Sequence, residues 1–258
     1  MRLYGKYLSM HLRAAMQHKA SFAMLTMGQF LVTLSSFAGV WFLFDRFSAV
    51  EGYTFQQVLL CFAINIAAFT LAEAFFRGFD RFPSMLSNGE FDRALTRPRG
   101  LVFQVLCSQF ELTRFSRLVY ALAVLAYALP TSGIVFTPDK IACLLLMLAG
   151  GTALYAGLFV VYATVAFFTI ESIEFMNIFL DGAREFGAYP WGVYGRVVLK
   201  IVTFLVPLAC VQYWPLLYLL GRAPSAWFAL LPLAGFVFWV PAFAFWRFGV
   251  RRFKSTGS

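Results

Sequence analysis

Histidines and cysteines are the first residues to weigh for chemistry, and this chain has few. The two histidines are His11 and His18. Neither belongs to an HExxH pair or a Cys/His group, so no metal site is expected. Cys61, Cys107, Cys143 and Cys210 lie in apolar or interfacial stretches without CxxC spacing, and they read as inert packing thiols. Asp181-Gly182-Ala183-Arg184 opens like a lipid-headgroup transferase motif. Those enzymes hold two metals with further aspartates downstream, and Asp181 is the last Asp of the chain. No Ser or Cys has a general base in a motif context, and the phosphate-cradling GxxxxGK[ST] loop is absent. Catalytic residues are therefore expected to be none.

Two segments carry more than a connector needs. In 87–98, Gly89 permits a bend, Glu90 and Asp92 favour a helix start, and Pro98 stops the helix. A short helix bearing Glu90, Asp92, Arg93 and Arg97 together with Phe91 and Leu95 is expected to project into the cytoplasm. An exposed aromatic there suits docking to a soluble partner. The second segment runs from Tyr189-Pro190-Trp191-Gly192-Val193-Tyr194 through Pro207 to Tyr213-Trp214-Pro215. Proline before the helix and twice within it predicts a broken span with a re-entrant or interfacial turn. Within the apolar runs Asn65 and Glu73 are costly in lipid, and Glu73 is expected to pair with Arg77 one turn on. Asn65 is expected to face a neighbouring helix or a route. Ala149, Ala153 and Gly157 form a small-residue stripe for close packing, within or between subunits.

The elements that must position these residues follow from composition. The chain has 258 residues, of which 61% are apolar, 19% aromatic and 13% charged, and its mean hydropathy is +0.75. A soluble domain carries about 25% charged residues, so this chain is read as an all-α integral membrane protein. Six charge-free runs of 21 to 30 residues lie between Lys19 and Asp45, Glu51 and Glu73, Arg117 and Asp139, Lys140 and Glu171, Lys200 and Arg222, and Arg222 and Arg247. Each is long enough to span hydrocarbon as a helix, and none alternates as a barrel strand does. Six transmembrane helices are expected, with the fifth broken. With the N-terminus inside, 18 Lys and Arg fall on inner segments against 3 on outer loops, which predicts an N-in, C-in topology. The net charge of +9 is spread over those segments, so nucleic acid is not an expected partner. Amphipathic stripes predict an N-terminal interfacial helix over 1–20, another amphipathic stretch over 101–117, and a cytoplasmic amphipathic segment over 171–196. With no repeat and no soluble domain, 1–258 reads as one transmembrane domain, with 78–100 as its main cytoplasmic loop.

The loop Gly-Glu-Phe-Asp-Arg-Ala-Leu-Thr-Arg-Pro at 89–98 resembles the Gly–x–(Leu/Phe)–Asp–x–x–Leu–x–Arg–Pro signature of small six-span exporters among the type-2 ATP-binding-cassette permeases. Tyr189-Pro190 with Tyr194, Val206-Pro207-Leu208-Ala209, Tyr213-Trp214-Pro215 and Leu219-Leu220-Gly221-Arg222 are similar to that branch's second hallmark. Departures are Phe91 where Leu is common, and Trp191-Gly192 before the second Tyr. The resemblance spans essentially the whole chain.

The resemblance implies a permease subunit of an ATP-driven exporter in a bacterial inner membrane. It implies a second permease, identical or a sister chain, and a pair of separate cytoplasmic ATPases carrying ATP and Mg, with no cofactor on this chain. ATPase coupling would fall to Gly89, Glu90, Phe91, Asp92, Arg93, Leu95, Arg97 and Pro98. Gate or route candidates are Asn65, Glu73, Tyr189, Pro190, Tyr194, Pro207, Tyr213, Trp214 and Pro215. An autonomous secondary transporter or channel, or a membrane enzyme or scaffold, are the other classes. The first would favour mid-membrane ionisable groups and repeated halves.

Overall fold

A computed structural model describes residues 6–7, 9–10, 13, 17, 19–46, 49–110, 114–168 and 173–253, with backbone alone for 173–176. His11, His18, most of the interfacial helix expected over 1–20, Glu111, Glu171 and Lys254 lie outside the described residues. Within them the chain is helical throughout, apart from turns and one isolated bridge between Val50 and Tyr53.

The helices are α1 (Lys19–Arg46), α2 (Phe55–Asp80), α3 (Phe82–Ser87), α4 (Glu90–Leu95), α5 (Leu101–Ser108), α6 (Phe115–Thr131) and α7 (Pro138–Val165). They continue with α8 (Ile173–Phe186), a 3-10 turn (Trp191–Tyr194), α9 (Gly195–Phe204), α10 (Leu208–Val211) and α11 (Tyr213–Leu219). A 3-10 stretch (Ala226–Leu233), α12 (Ala234–Val237) and α13 (Trp239–Arg252) complete the chain. Each of the six charge-free runs holds helix among its described residues. Among the described residues, four helical stretches are long and apolar enough to cross a membrane: Lys19–Arg46, Phe55–Ser87, Pro138–Val165 and Ala226–Arg252. The fifth run is a pair, Trp191–Phe204 and Leu208–Leu219, bent by 90°, and Phe115–Thr131 is a shorter apolar helix.

Local signals set the ends of the two central helices. At the start of α2, the Thr54 N–H donates to Gln57 Oε1 at 3.3 Å, which satisfies a donor the helix leaves free. Pro138 opens α7 after Thr137, where its missing N–H costs nothing, and Asp139 adds a favourable charge to the first turn.

α2 and α7 run side by side in the same direction and form the axis. Their N-terminal halves share a core with α6 and α11, through Leu59, Phe62, Met147 and Leu216. Their C-terminal halves share a second core with α4 and α13, through Phe79, Phe91, Phe159 and Trp246. Every residue from Val58 to Thr70 is buried. α1 packs on the outside, with Thr33 and Val40 its only buried residues, so its apolar face is left to lipid or to another chain.

The small-residue stripe of α7 is used inside the chain. Gly150 and Gly235 meet backbone to backbone; a Cβ on Gly235 would lie 2.0 Å from the Gly150 carbonyl oxygen. Trp239 Nε1 donates to the Ala153 carbonyl at 2.6 Å. Ala149, expected in that stripe, is exposed, and its neighbour Gly150 makes the close contact instead.

Candidate functional site

The loop after α2 is a braced hook. Gly89 has φ 68°, the left-handed conformation that reverses the chain with little strain, and α4 follows at once. Thr96 caps the end of α4, donating its hydroxyl to the Arg93 carbonyl at 2.9 Å. Gln104 on α5 donates to the carbonyls of Ala94 (3.0 Å) and Arg99 (2.9 Å), tying both sides of the turn. Pro98 falls just past the helix end.

Phe91 corrects the expectation of a displayed aromatic. It is 1% exposed and meets Phe82 at 5.1 Å, Phe167 at 5.4 Å and Phe253 at 5.0 Å, ring centre to ring centre. The cause is the i, i+3 spacing of Phe91 and Ala94, which places both on the inward face. Burying a phenylalanine contributes about 1.5–3 kcal/mol, so the ring roots the hook in the bundle. Glu90, Arg93, Leu95 and Arg97 remain exposed and Asp92 is half-buried. Leu95, 45% exposed, is the apolar side chain the hook presents. A groove of about 340 Å³ runs beside it, lined by Tyr7, Glu90, Arg93, Arg97 and Arg99.

Two turns before the end of α2 lies a buried ion cluster. Glu73, 3% exposed, accepts Arg77 at 3.1 Å and Arg114 at 3.2 Å on Oε1, and Arg117 at 3.0 Å on Oε2. Arg77 also reaches Asp80 at 2.8 Å. Gln29 of α1 accepts from Arg114 at 2.6 Å and from Arg117. A charge buried without partners costs several kcal/mol; here three guanidinium groups, a second carboxylate and an amide share the burden. The Glu73–Arg77 pair was legible at its i, i+4 spacing. Arg114, Arg117 and Gln29 were missed, although two arginines bounding an apolar run three residues apart signal a shared inward face.

This cluster forms one wall of a cavity of about 850 Å³. The opposite wall is α8, whose Arg184 binds Asp181 at 3.2 Å and Glu185 at 2.8 Å and lies over the Phe69 ring at 5.4 Å. Asp181 thus belongs to an ion pair on this wall.

Asn65, one turn before Phe69 on α2, meets the end of α8. Its Nδ2 donates to the Arg184 carbonyl at 2.8 Å, and its Oδ1 accepts the Tyr155 hydroxyl at 2.7 Å. Tyr155 also lies 3.2 Å from the Ala183 carbonyl. The last carbonyls of a helix lack intrahelical donors, and Asn65 with Tyr155 supplies them at the end of α8. Asn65 therefore faces a neighbouring helix, and its polar atoms are engaged there. These bonds also place the end of α8 against the middle of α2 and α7. The stretch 171–196 is accordingly not confined to one end of the bundle, as its amphipathic pattern suggested.

The tyrosine–proline residues gather elsewhere. Tyr194 donates to the Phe186 carbonyl at 2.8 Å, Pro190 is buried and Tyr189 half-buried. Gln212 donates to the Gly187 carbonyl, which joins this turn to the start of α11. The break falls at Pro207. Pro215 sits in the first turn of α11, where proline is tolerated, and breaks nothing. Tyr213 packs edge-on to Trp214 at 5.0 Å, and Trp214 Nε1 donates to Thr203 at 3.3 Å across the 90° bend. This assembly meets the N-terminal end of α2, where Arg222 lies over Tyr53 at 5.3 Å and donates to the Gly52 carbonyl at 3.1 Å. The hook follows the other end of α2, roughly 39 Å away at 1.5 Å per residue, and Glu73 lies about 27 Å along that helix.

A family model described as ABC-2 family transporter protein matches residues 30–257. The chain belongs to the ABC-2 transporter permease family. No curated protein and no solved structure matches it. The ABC-2 permease is a multi-pass membrane protein and the membrane component of a transporter. The matched range holds the hook, the cavity walls and the broken helix pair, and of the ion cluster it leaves out Gln29 alone. Permeases of this family work with an ATPase subunit, and in this permease the exposed edge of α4 is a compact, braced surface of mixed charge.

Proposed function

We propose that this permease is the membrane half of an ATP-driven exporter of a bacterial inner membrane. It crosses six times with both ends inside and forms the route with a second permease, identical or a sister chain. A pair of separate cytoplasmic ATPases, carrying ATP and Mg, seats on Glu90, Arg93, Leu95 and Arg97. The observation that carries this reading is the rooting of α4 through Phe91. A ring wedged against Phe82, Phe167 and Phe253 passes a push on the hook to α3 and to the ends of α7 and α13. Coupling needs an element that both sites bias, and a clamped short helix fits that need. The charged cavity behind it supplies a vestibule whose walls, α2 and α8, belong to different parts of the machine.

The test is co-purification and transport. The full chain expressed with its neighbouring genes should bring down a Walker-motif subunit in mild detergent. Glu90→Ala with Arg97→Ala should weaken that association at least tenfold while the protein still inserts. Uphill transport by the purified chain alone, or an unchanged association in the double variant, would overturn the reading.

A further inference from the structure

We propose that a groove at the end of α13 binds the headgroup of an anionic phospholipid. The groove holds about 350 Å³ between the start of α5 and the last turns of α13. Arg247 and Arg251 stand one turn apart on one rim, Gly100 and Leu101 face them, and Phe243 and Trp246 form the apolar floor.

These two arginines differ from those of the ion cluster and of α8. Arg77, Arg114, Arg117 and Arg184 are each held by a carboxylate. Arg247 and Arg251 are exposed, and among the described residues neither has a carboxylate within ion-pair distance. The groove has no acidic lining residue, so its occupant is an anion.

Position narrows the class. Ala226–Arg252 is a continuous apolar stretch, and Arg247 is its first charge. That residue marks where hydrocarbon gives way to headgroups. A phosphodiester suits two guanidinium groups, each of which offers parallel donors to phosphate oxygens. Acyl chains suit the floor of Phe243 and Trp246. A free phosphate would use the rim and leave the floor unfilled. A zwitterionic lipid would bring an ammonium group against the two cations. Basic pockets between helices at a membrane face bind anionic headgroups in this way.

The test is native mass spectrometry of the full chain in detergent, titrated with phosphatidylglycerol and with phosphatidylcholine of the same acyl chains. The wild type should bind phosphatidylglycerol at least tenfold tighter. Arg247→Gln with Arg251→Gln should lose roughly fivefold per arginine, and Arg247→Lys with Arg251→Lys should regain most of that loss. Arg46→Gln, at the end of α1, should change nothing. Equal binding of the two lipids by the wild type, which needs no variant to fold, would overturn the proposal. So would a double glutamine variant that keeps the preference. Glycerol phosphate binding as tightly as the lipid would overturn the lipid assignment.

Discussion

At the residue scale, Glu73 carries the largest electrostatic burden among the described residues. Three arginines, one on α2 and two at the start of α6, converge on it, so its removal strands positive charge in a buried place. Breaking a buried pair from one side costs about 3–5 kcal/mol. Glu73→Gln should therefore lower the melting temperature of the detergent-solubilised chain by many degrees, while Gln29→Leu, which removes a shared acceptor, should cost about 1–3 kcal/mol. Thermal unfolding of both variants checks the order; a Glu73→Gln protein as stable as wild type would show that the cluster is solvated. Phe91 is decided by packing instead. Phe91→Ala leaves a void among three aromatic rings and should cost about 3–5 kcal/mol. Phe91→Leu keeps most of the volume and should cost well under half of that, with ATPase association retained. Association that survives Phe91→Ala would separate the root from the hook's function.

At the element scale, close backbone approach decides whether the last apolar stretch packs on α7. A Cβ at Gly235 has nowhere to go, 2.0 Å from a backbone oxygen, and backbone yields less readily than a side chain. Gly235→Val should cost more than about 3 kcal/mol and should expose the turn before α12 to limited proteolysis, whereas Gly28→Ala, in open space on α1, should do neither. The existence of these helices was legible, because charge-free runs longer than a bilayer admit little else. Their faces were less so. α4 has six residues, under two turns, and a pattern that short does not say which side is buried. Phe91 was thus expected outside and is found inside. The amphipathic pattern of α8 was visible, but charges at Asp181 and Arg184 answer equally to water and to an internal polar cavity, so its placement was not. The ion cluster escaped for another reason. Gln29, Glu73 and Arg117 lie on three helices far apart in sequence, and only tertiary packing makes them neighbours. Pro207 was read correctly because proline removes a donor whatever surrounds it. Pro215 was overread because its effect depends on where the helix begins.

At the scale of the whole molecule, the four cysteines report on global opening. Cys61, Cys107, Cys143 and Cys210 are all under 10% exposed, and they sample both halves of the bundle. Cys107, on α5 away from the long apolar helices, also has its thiol pKa pushed upward by burial, which lowers the thiolate fraction at neutral pH. The native chain should react with a membrane-impermeant maleimide at a small fraction of the rate seen after unfolding in dodecyl sulfate. A fast-reacting thiol in the intact protein would mean that one half of the bundle opens easily.

The same scale separates the two ends of the machine. The hook and the cavity lie toward the same end of α2 but present different surfaces, one outward and one inward, so their lesions should differ in kind. Arg93→Glu with Arg97→Glu reverses charge only on the exposed edge of α4. It should leave the melting temperature within a few degrees and reduce ATPase association at least tenfold. Arg184→Gln removes the ion pairs to Asp181 and Glu185 without touching the hook. It should keep the ATPase bound and hydrolysing in proteoliposomes while cargo movement per ATP falls several-fold. Pull-down, hydrolysis and transport measured on the same preparations separate the two. If the hook variant keeps its ATPase, or if the cavity variant sheds it, then force does not enter at α4 and pass inward through Phe91.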